Sequence, residues 1–338
     1  MATIGNKFID LVDIYKSQTG SGAVIPVIEA LHTLNPIMED SVMVECNDGA
    51  NHKHAVRTAL PDAAWGRMYQ GVPRSKGITQ QIQDATGFVE SSCEVDTRIL
   101  KSQPNAAAYR ASQAEAHLET ISQEVQRVYF YGDARLEPEK FHGLSPRYST
   151  LANPTVVNGG GVGADNMSMW FVTHGVGKTQ LIYPKGTMGG ISREDKGEHP
   201  AVDANGNTYF AKIEEFRQHV GLAIGDARWN ARICNIDVSA ALAGSVNLFA
   251  LLRSAYYKMQ RRRNMNIKNG GMVSPGNTVL YMNRTALEVL DLLGTNAGAS
   301  DNFVRLVPKE IEGKEVMTWR DIPIRETDGL VNNEALVA

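Results

Sequence analysis

The chain has 338 residues and a mass of 36.9 kDa, enough for about two domains at roughly 150 residues each. Hydrophobic residues make up 43%, charged residues 21%, and mean hydropathy is −0.25, which excludes wholesale disorder. A net charge of −3 excludes the global basic field that drives nonspecific nucleic-acid binding.

Cys46, Cys93 and Cys234 are sparse and odd in number, so they offer neither a disulfide framework nor paired metal spacing. That suits synthesis in a reducing cytosol. The opening residues lack a basic segment followed by an apolar one, so no signal peptide is expected. No apolar run approaches the roughly 18 residues of a membrane span.

Residues 1–40 read as an arm carrying a short helix. Ile28, Leu31 and Leu34 fall at helical spacing between Pro26 and Pro36. Residues 41–100 read as strands and loops. Val42, Val44 and Cys46 alternate, a turn follows at Asp48-Gly49, and Val56, Thr58 and Leu60 resume period two. From Trp65 to Gly87 the chain is polar, rich in Gly and Gln, and poor in core candidates. This predicts an extended hairpin standing away from its own globule. Such a hairpin is marginal alone, so it calls for a partner surface.

The strongest local signal is a helix over 104–131. Pro104 and Asn105 open it, and Gly132 reads as a C′ stop. Ala111, Ala114, Leu118, Ile121, Val125 and Val128 form a narrow apolar stripe for packing on a sheet. Residues 150–236 read as mainly β, with Val220, Leu222 and Ile224 alternating, then Trp229, Ala231 and Ile233. A helix over 239–262, a strand at 279–282, a helix from Thr285 ended by Gly294 and a strand at 317–325 complete the chain. Pro323 marks that strand as an edge or a bulge. The class is α+β with interleaved pieces.

Candidate chemistry is sparse. Gly175-Val176-Gly177-Lys178-Thr179 resembles the end of a phosphate-binding loop, but Val172 stands where that motif needs Gly, and a strand pattern follows where it needs a helix. A β-turn is the expected structure; a nucleotide-binding enzyme using Gly177, Lys178 and Thr179 is the distant alternative. Cys46, His52 and His54 lie near one hairpin without an evident fourth metal ligand. No nucleophile elbow, HExxH motif or paired carboxylates occur. No catalytic residue, cofactor or metal is expected. Charge is the last feature. Arg253, Lys258, Arg261, Arg262, Arg263, Lys268 and Arg284 fall in a stretch without acids between Asp237 and Glu288. A solvated helix end, an inter-subunit surface and a phosphate-facing patch all fit this tract.

The order of these segments resembles the HK97-like major capsid proteins of tailed phages, near the epsilon15 group of short-tailed phages. Ala64-Trp65-Gly66-Arg67, Gln70-Gly71-Val72, Ser75-Lys76 and Thr79-Gln80 are similar to the extended E-loop and its return. Phe88-Val89-Glu90 through Glu94-Val95-Asp96 resembles the strand before the spine helix, and Phe141-His142-Gly143-Leu144 the turn after it. Tyr281-Met282-Asn283-Arg284 and Trp319-Arg320-Asp321-Ile322-Pro323-Ile324 resemble later corner and strand segments.

The resemblance implies an N-terminal arm (1–40), an E-loop (41–87), a P-domain (88–150) with its spine helix at 104–131, and an A-domain (151–338). Residues 205–236 return to the P-domain, because the corner and late-strand segments follow strands that they precede in the prototype. It further implies a structural subunit, not an enzyme. Copies assemble into pentamers and hexamers of an icosahedral shell around double-stranded DNA. The portal, a separate scaffolding protein and a decoration protein are its further partners. The subunit is made in the host bacterial cytoplasm and ends in the virion. Scaffolding is expected to be separate or absent, because no helical scaffold-like segment precedes the arm. Assembly is expected to be noncovalent, because no carboxylate can be matched to a cross-link at Lys76. Trp65, Arg67, Lys76, Arg261, Arg262 and Arg263 are the candidate inter-subunit contacts. An encapsulin-like compartment shell enclosing enzymes instead of DNA is the alternative within the same architecture.

Overall fold

A computed structural model of the chain describes residues 35–102, 105–202, 205–259, 266–268, 271–273, 276–296, 307–311 and 314–338. The helix expected near Leu31, the helix-start residue Pro104 and the basic trio Arg261–Arg263 lie outside the described residues.

In chain order the elements are α1 (Ile37–Asp40), β1 (Met43–Glu45), β2 (Asn51–Ala59), β3 (Ile78–Asp96), α2 (Thr97–Ser102), α3 (Ala106–Tyr131), β4 (Val156–Asn158), β5 (Asn166–His174), β6 (Thr179–Tyr183), β7 (Gly190–Val202), β8 (Thr208–Ile224), β9 (Ala231–Asp237), α4 (Val238–Leu242), α5 (Leu248–Lys258), β10 (Asn266–Lys268), β11 (Gly271–Val273), β12 (Asn277–Met282), α6 (Arg284–Asn296), β13 (Val307–Ile311), β14 (Lys314–Trp319) and β15 (Ile322–Glu326). The described residues form two compact units. One holds Phe88–Gln126 and Gly190–His219; the other holds 35–87, Arg127–Gly189 and Val220–Ala338.

In the smaller unit β8 lies between β7 and β3. The first part of α3 packs on this sheet. Asn105 caps it by accepting the Ala108 N–H at 3.1 Å. His117 stacks on Phe216 with ring centroids 5.8 Å apart, and Ser91 Oγ lies 2.6 Å from His117 Nδ1. Arg110 reaches Asp195 at 2.7 Å and also pairs with the buried Glu214. β7 is a charged edge with a bulge between Asp195 and Gly197 and a proline at 200. These devices blunt strand-to-strand aggregation.

In the larger unit the strand order is β13-β14-β15-β12-β5-β6-β8-β3-β2. β9 pairs with β5 and β4, and β1 pairs with β6. β5 is buried along its whole length, as expected of a strand covered on both faces. Trp170, opposite Tyr281, points to a layer holding Phe130 and Tyr148; Phe171, opposite Leu280, points to a core with α4, α5 and α6. Each large side chain buried there contributes about 1.5–3 kcal/mol.

The stripe on α3 buries Ala114, Ile121, Val125 and Val128 and ends in the fully buried Tyr129 and Phe130; Ala111 is exposed. Gly132 ends the helix for a different reason from the one expected. Its φ is not positive; instead a Cβ there would lie 2.6 Å from Phe141 O. Gly143, whose Cβ would lie 2.5 Å from Val128 O, donates its N–H to Gly132 O at 2.8 Å. Two glycines thus let the turn before Leu144 press against the end of α3.

Four local expectations are corrected. The helix over 239–262 is two helices, because Gly244 at φ +76° closes α4 and Asn247 caps α5 by accepting the Ala250 N–H. α6 runs through Gly294 to Asn296. The stretch 317–325 is a hairpin, not one strand: Arg320 and Asp321, both at positive φ, turn β14 into β15. Pro323 therefore sits in a strand flanked on both sides, β12 pairing parallel and β14 over only two residue pairs. Finally, 231–236 is buried at every position instead of alternating, since β9 is covered on both faces.

Candidate assembly surfaces

The hairpin of β2 and β3 is antiparallel from Asn51 opposite Ala85 to Ala59 opposite Ile78. Its root is fixed. Arg147 donates to Asp84 Oδ1 at 2.7 Å and to the carbonyls of His142 and Leu222 at 3.1 Å each. Asp84 is buried, so this charge-assisted contact ties β3 to β8 and to the turn after α3.

The tip is different in kind. The loop 60–77 is held across its neck by Ser75 Oγ donating to Asp62 O at 3.0 Å. Beyond that neck Trp65 is 101% exposed, Met68 92% and Tyr69 108%. Arg67 and Lys76 are exposed in the same loop. The structure thus brings Trp65, Arg67 and Lys76 onto one loop. Met68 and Tyr69 were not singled out from sequence; a run of large apolar residues inside a polar stretch was the available signal. A cluster of exposed Trp, Met, Tyr and Arg has the composition of an interface centre.

Three side chains of the basic tract, Arg253, Lys258 and Arg284, are described. Arg253 and Arg284 are exposed, whereas Lys258 Nζ donates to Val156 O at 3.0 Å near the end of α5. The Gly175–Thr179 segment is a tight turn leading into β6. Its Gly177 N–H is used by Gln180 Oε1 at 2.8 Å, and a Cβ at Gly225 would collide with Gly177 O. Lys178 is buried with Nζ 4.2 Å from the Trp229 ring centroid, and burial lowers its pKa. That turn cannot cradle phosphate as a helix-opening loop does. His52 lies 3.4 Å from Gln180 Nε2, and His54 lies 4.0 Å from Asp84. Burial raises the Cys46 thiol to about 11. Among the described residues no group of three or more His, Cys, Asp or Glu could hold a metal ion.

A second buried network, unannounced by sequence, closes on α1. Ser41 Oγ faces His174 Nδ1 at 3.2 Å, His174 Nε2 faces Tyr281 Oη at 2.9 Å, Tyr281 donates to Asp40 at 2.9 Å, and Arg325 donates to Asp40 at 3.1 Å. Because the Tyr281 proton goes to Asp40, His174 Nε2 donates and Nδ1 accepts from Ser41. His174 and Tyr281 are buried within this network, and it ties α1 to β5, β12 and β15.

The family model of major capsid protein GP7 matches residues 19–338. The chain belongs to that major capsid protein family. A chain of the near-atomic cryo-EM structure of bacteriophage epsilon15 is similar to this capsid protein at a TM-score of 0.75 and 29% identity, covering 100% of this chain and 99% of that one. The bacteriophage JBD30 capsid matches at a TM-score of 0.50 and 9% identity over 89% and 93% of the two chains, a likeness of fold alone. A chain of the SrpI encapsulin complex of Synechococcus elongatus PCC 7942 gives a TM-score of 0.43 at 10% identity, covering 69% of this chain and 97% of that one. No curated protein matches the chain. The HK97-like fold and the role of structural subunit in a phage shell, hence a place in the virion, follow from the family and the epsilon15 likeness.

Proposed function

We propose that copies of this capsid protein assemble into pentamers and hexamers of an icosahedral shell around phage double-stranded DNA, with no catalytic activity of their own. The subunit is made in the host bacterial cytoplasm. Its further partners are a portal, a separate scaffolding protein and a decoration protein. Residues 1–40 act as the arm, 41–87 as the E-loop, 88–150 as the P-domain with its spine helix, and 151–338 as the A-domain with 205–236 returning to the P-domain. Trp65, Arg67 and Lys76 act as contacts to a neighbouring subunit, as do Arg261, Arg262 and Arg263.

The observation that carries this reading is the hairpin itself. A rooted β-hairpin ending in fully exposed Trp65, Met68 and Tyr69 is unfavourable for a solitary subunit. It becomes favourable when each copy covers its neighbour's tip and many modest contacts add around a ring. The mildly acidic chain confines DNA without binding it tightly.

Particles purified from infected cells and treated with nuclease test the reading. Five- and six-fold capsomers in image reconstructions and protected double-stranded DNA are the expected result. Particles empty of DNA but filled with protein would point to a compartment shell instead.

A further inference from the structure

Arg320 occupies the turn between β14 and β15. Its guanidinium carbon lies 5.3 Å from the ring centroid of Tyr256, 5.5 Å from Tyr257 and 5.1 Å from Trp319. The rings brace one another: Tyr256 meets Tyr257 edge-on at 5.4 Å and Trp319 edge-on at 5.7 Å. Trp319 and Tyr256 are buried, whereas Arg320 is exposed and Tyr257 is 71% exposed. Two-residue turns of this kind favour Asn-Gly. Here Arg320 holds φ +51° and Asp321 φ +63°, a conformation that costs a side chain like arginine about 1 kcal/mol. The turn places the guanidinium beside the three rings.

We propose that Arg320, on its floor of Tyr256, Tyr257 and Trp319, receives a carboxylate of a second copy of this chain. The inference rests on the shell-forming reading above. A stacked guanidinium keeps its N–H edges in plane and ready for two parallel bonds to an oxyanion. Among the described residues its hydrogen-bond partner is the Tyr257 hydroxyl at 3.2 Å, which uses Nη1. An exposed Arg and Tyr over a buried Trp and Tyr present residue types that dominate binding energy in interfaces. A carboxylate fits better than DNA phosphate. Nucleic acid is held by many spread cations, with strong salt dependence. Among the described residues of α5, the exposed cations are Arg253, one turn from Tyr257, and Lys258, which is engaged with Val156 O. The chain carries 37 acidic residues, so neighbouring copies supply the anion.

The test uses full-length protein in assembling conditions, with wild-type shells as the control that the shell-forming reading stands. R320E should lower the assembled fraction by more than about tenfold, since a like-charge contact in an interface costs several kcal/mol, while the subunit's Tm stays near wild type. R320K supplies an arm independent of folding losses. Its amine should couple through a carbodiimide to an Asp or Glu, and mixing 14N and 15N copies should place both isotopes in the linked peptide pair. Wild-type yields of shells from R320E would overturn the proposal. So would linked peptides from R320K particles that always come from a single copy, or intact R320E shells that fail only to retain DNA.

Discussion

The guanidinium of Arg232 donates to Glu334 at 2.8 Å, and each side chain is only 4% exposed. Tyr131 donates to the other oxygen of Glu334 at 2.5 Å, Ser168 donates to the shared one, and Arg232 also reaches Tyr148 O at 3.0 Å. The network straps the last residues onto β5 and β9, where Asn235 and Val337 exchange two further hydrogen bonds at 2.9 Å. Removing one partner leaves a buried charge uncompensated. E334A should therefore destabilise the subunit by about 3–5 kcal/mol, and the apolar double variant R232M/E334L by much less. Urea denaturation of unassembled protein reads both.

The two glycines at the end of α3 give a steric prediction. A methyl group at position 143 or 132 meets a backbone oxygen within 2.6 Å. G143A and G132A should each cost at least about 2 kcal/mol, as overpacking does when no flexible side chain can yield. A G49A change, at an open position with φ +59°, should cost about 1 kcal/mol through backbone strain alone. Thermal unfolding of the three variants separates the causes.

Acid should weaken the subunit through His174. Burial lowers its pKa from 6.5 to about 4. The unfolded chain then binds a proton more readily than the folded one between those values. The stabilisation is complete above about pH 6.5 and is lost as pH falls toward 4, by up to about 3 kcal/mol. His52, His117 and His142 are lowered by burial and add in the same direction. Asp40, raised by burial, opposes the trend near its low end. Denaturant midpoints measured from pH 7.5 to pH 4.5 should fall, and H174N should flatten the slope.

Much of this was legible in the sequence, and the remainder has identifiable physical causes. The α3 stripe and the hairpin were readable because periodicity is local. The segment order pointed to the capsid family before any contact was known. The Arg232–Glu334 pair was not readable, because its members lie 102 positions apart and each looks like a surface charge. The β14–β15 turn was hidden by Arg320-Asp321 standing where Asn-Gly is usual. Gly132 suggested a left-handed stop, yet its role is close approach, which depends on Phe141 arriving from the far side of a turn.

The exposed tip separates folding from assembly. W65A and Y69A remove side chains that touch little of their own subunit, so stability should change by less than about 0.5 kcal/mol. Assembly should nevertheless fail or slow markedly. Sedimentation velocity alongside thermal unfolding distinguishes this from a folding defect.

Electron microscopy of the purified full-length protein, expressed to high concentration, tests the central claim most directly. Closed shells of uniform diameter, built from rings of identical subunits, are predicted. A protein that stays monomeric at every concentration and shows no rings or shells would contradict the account.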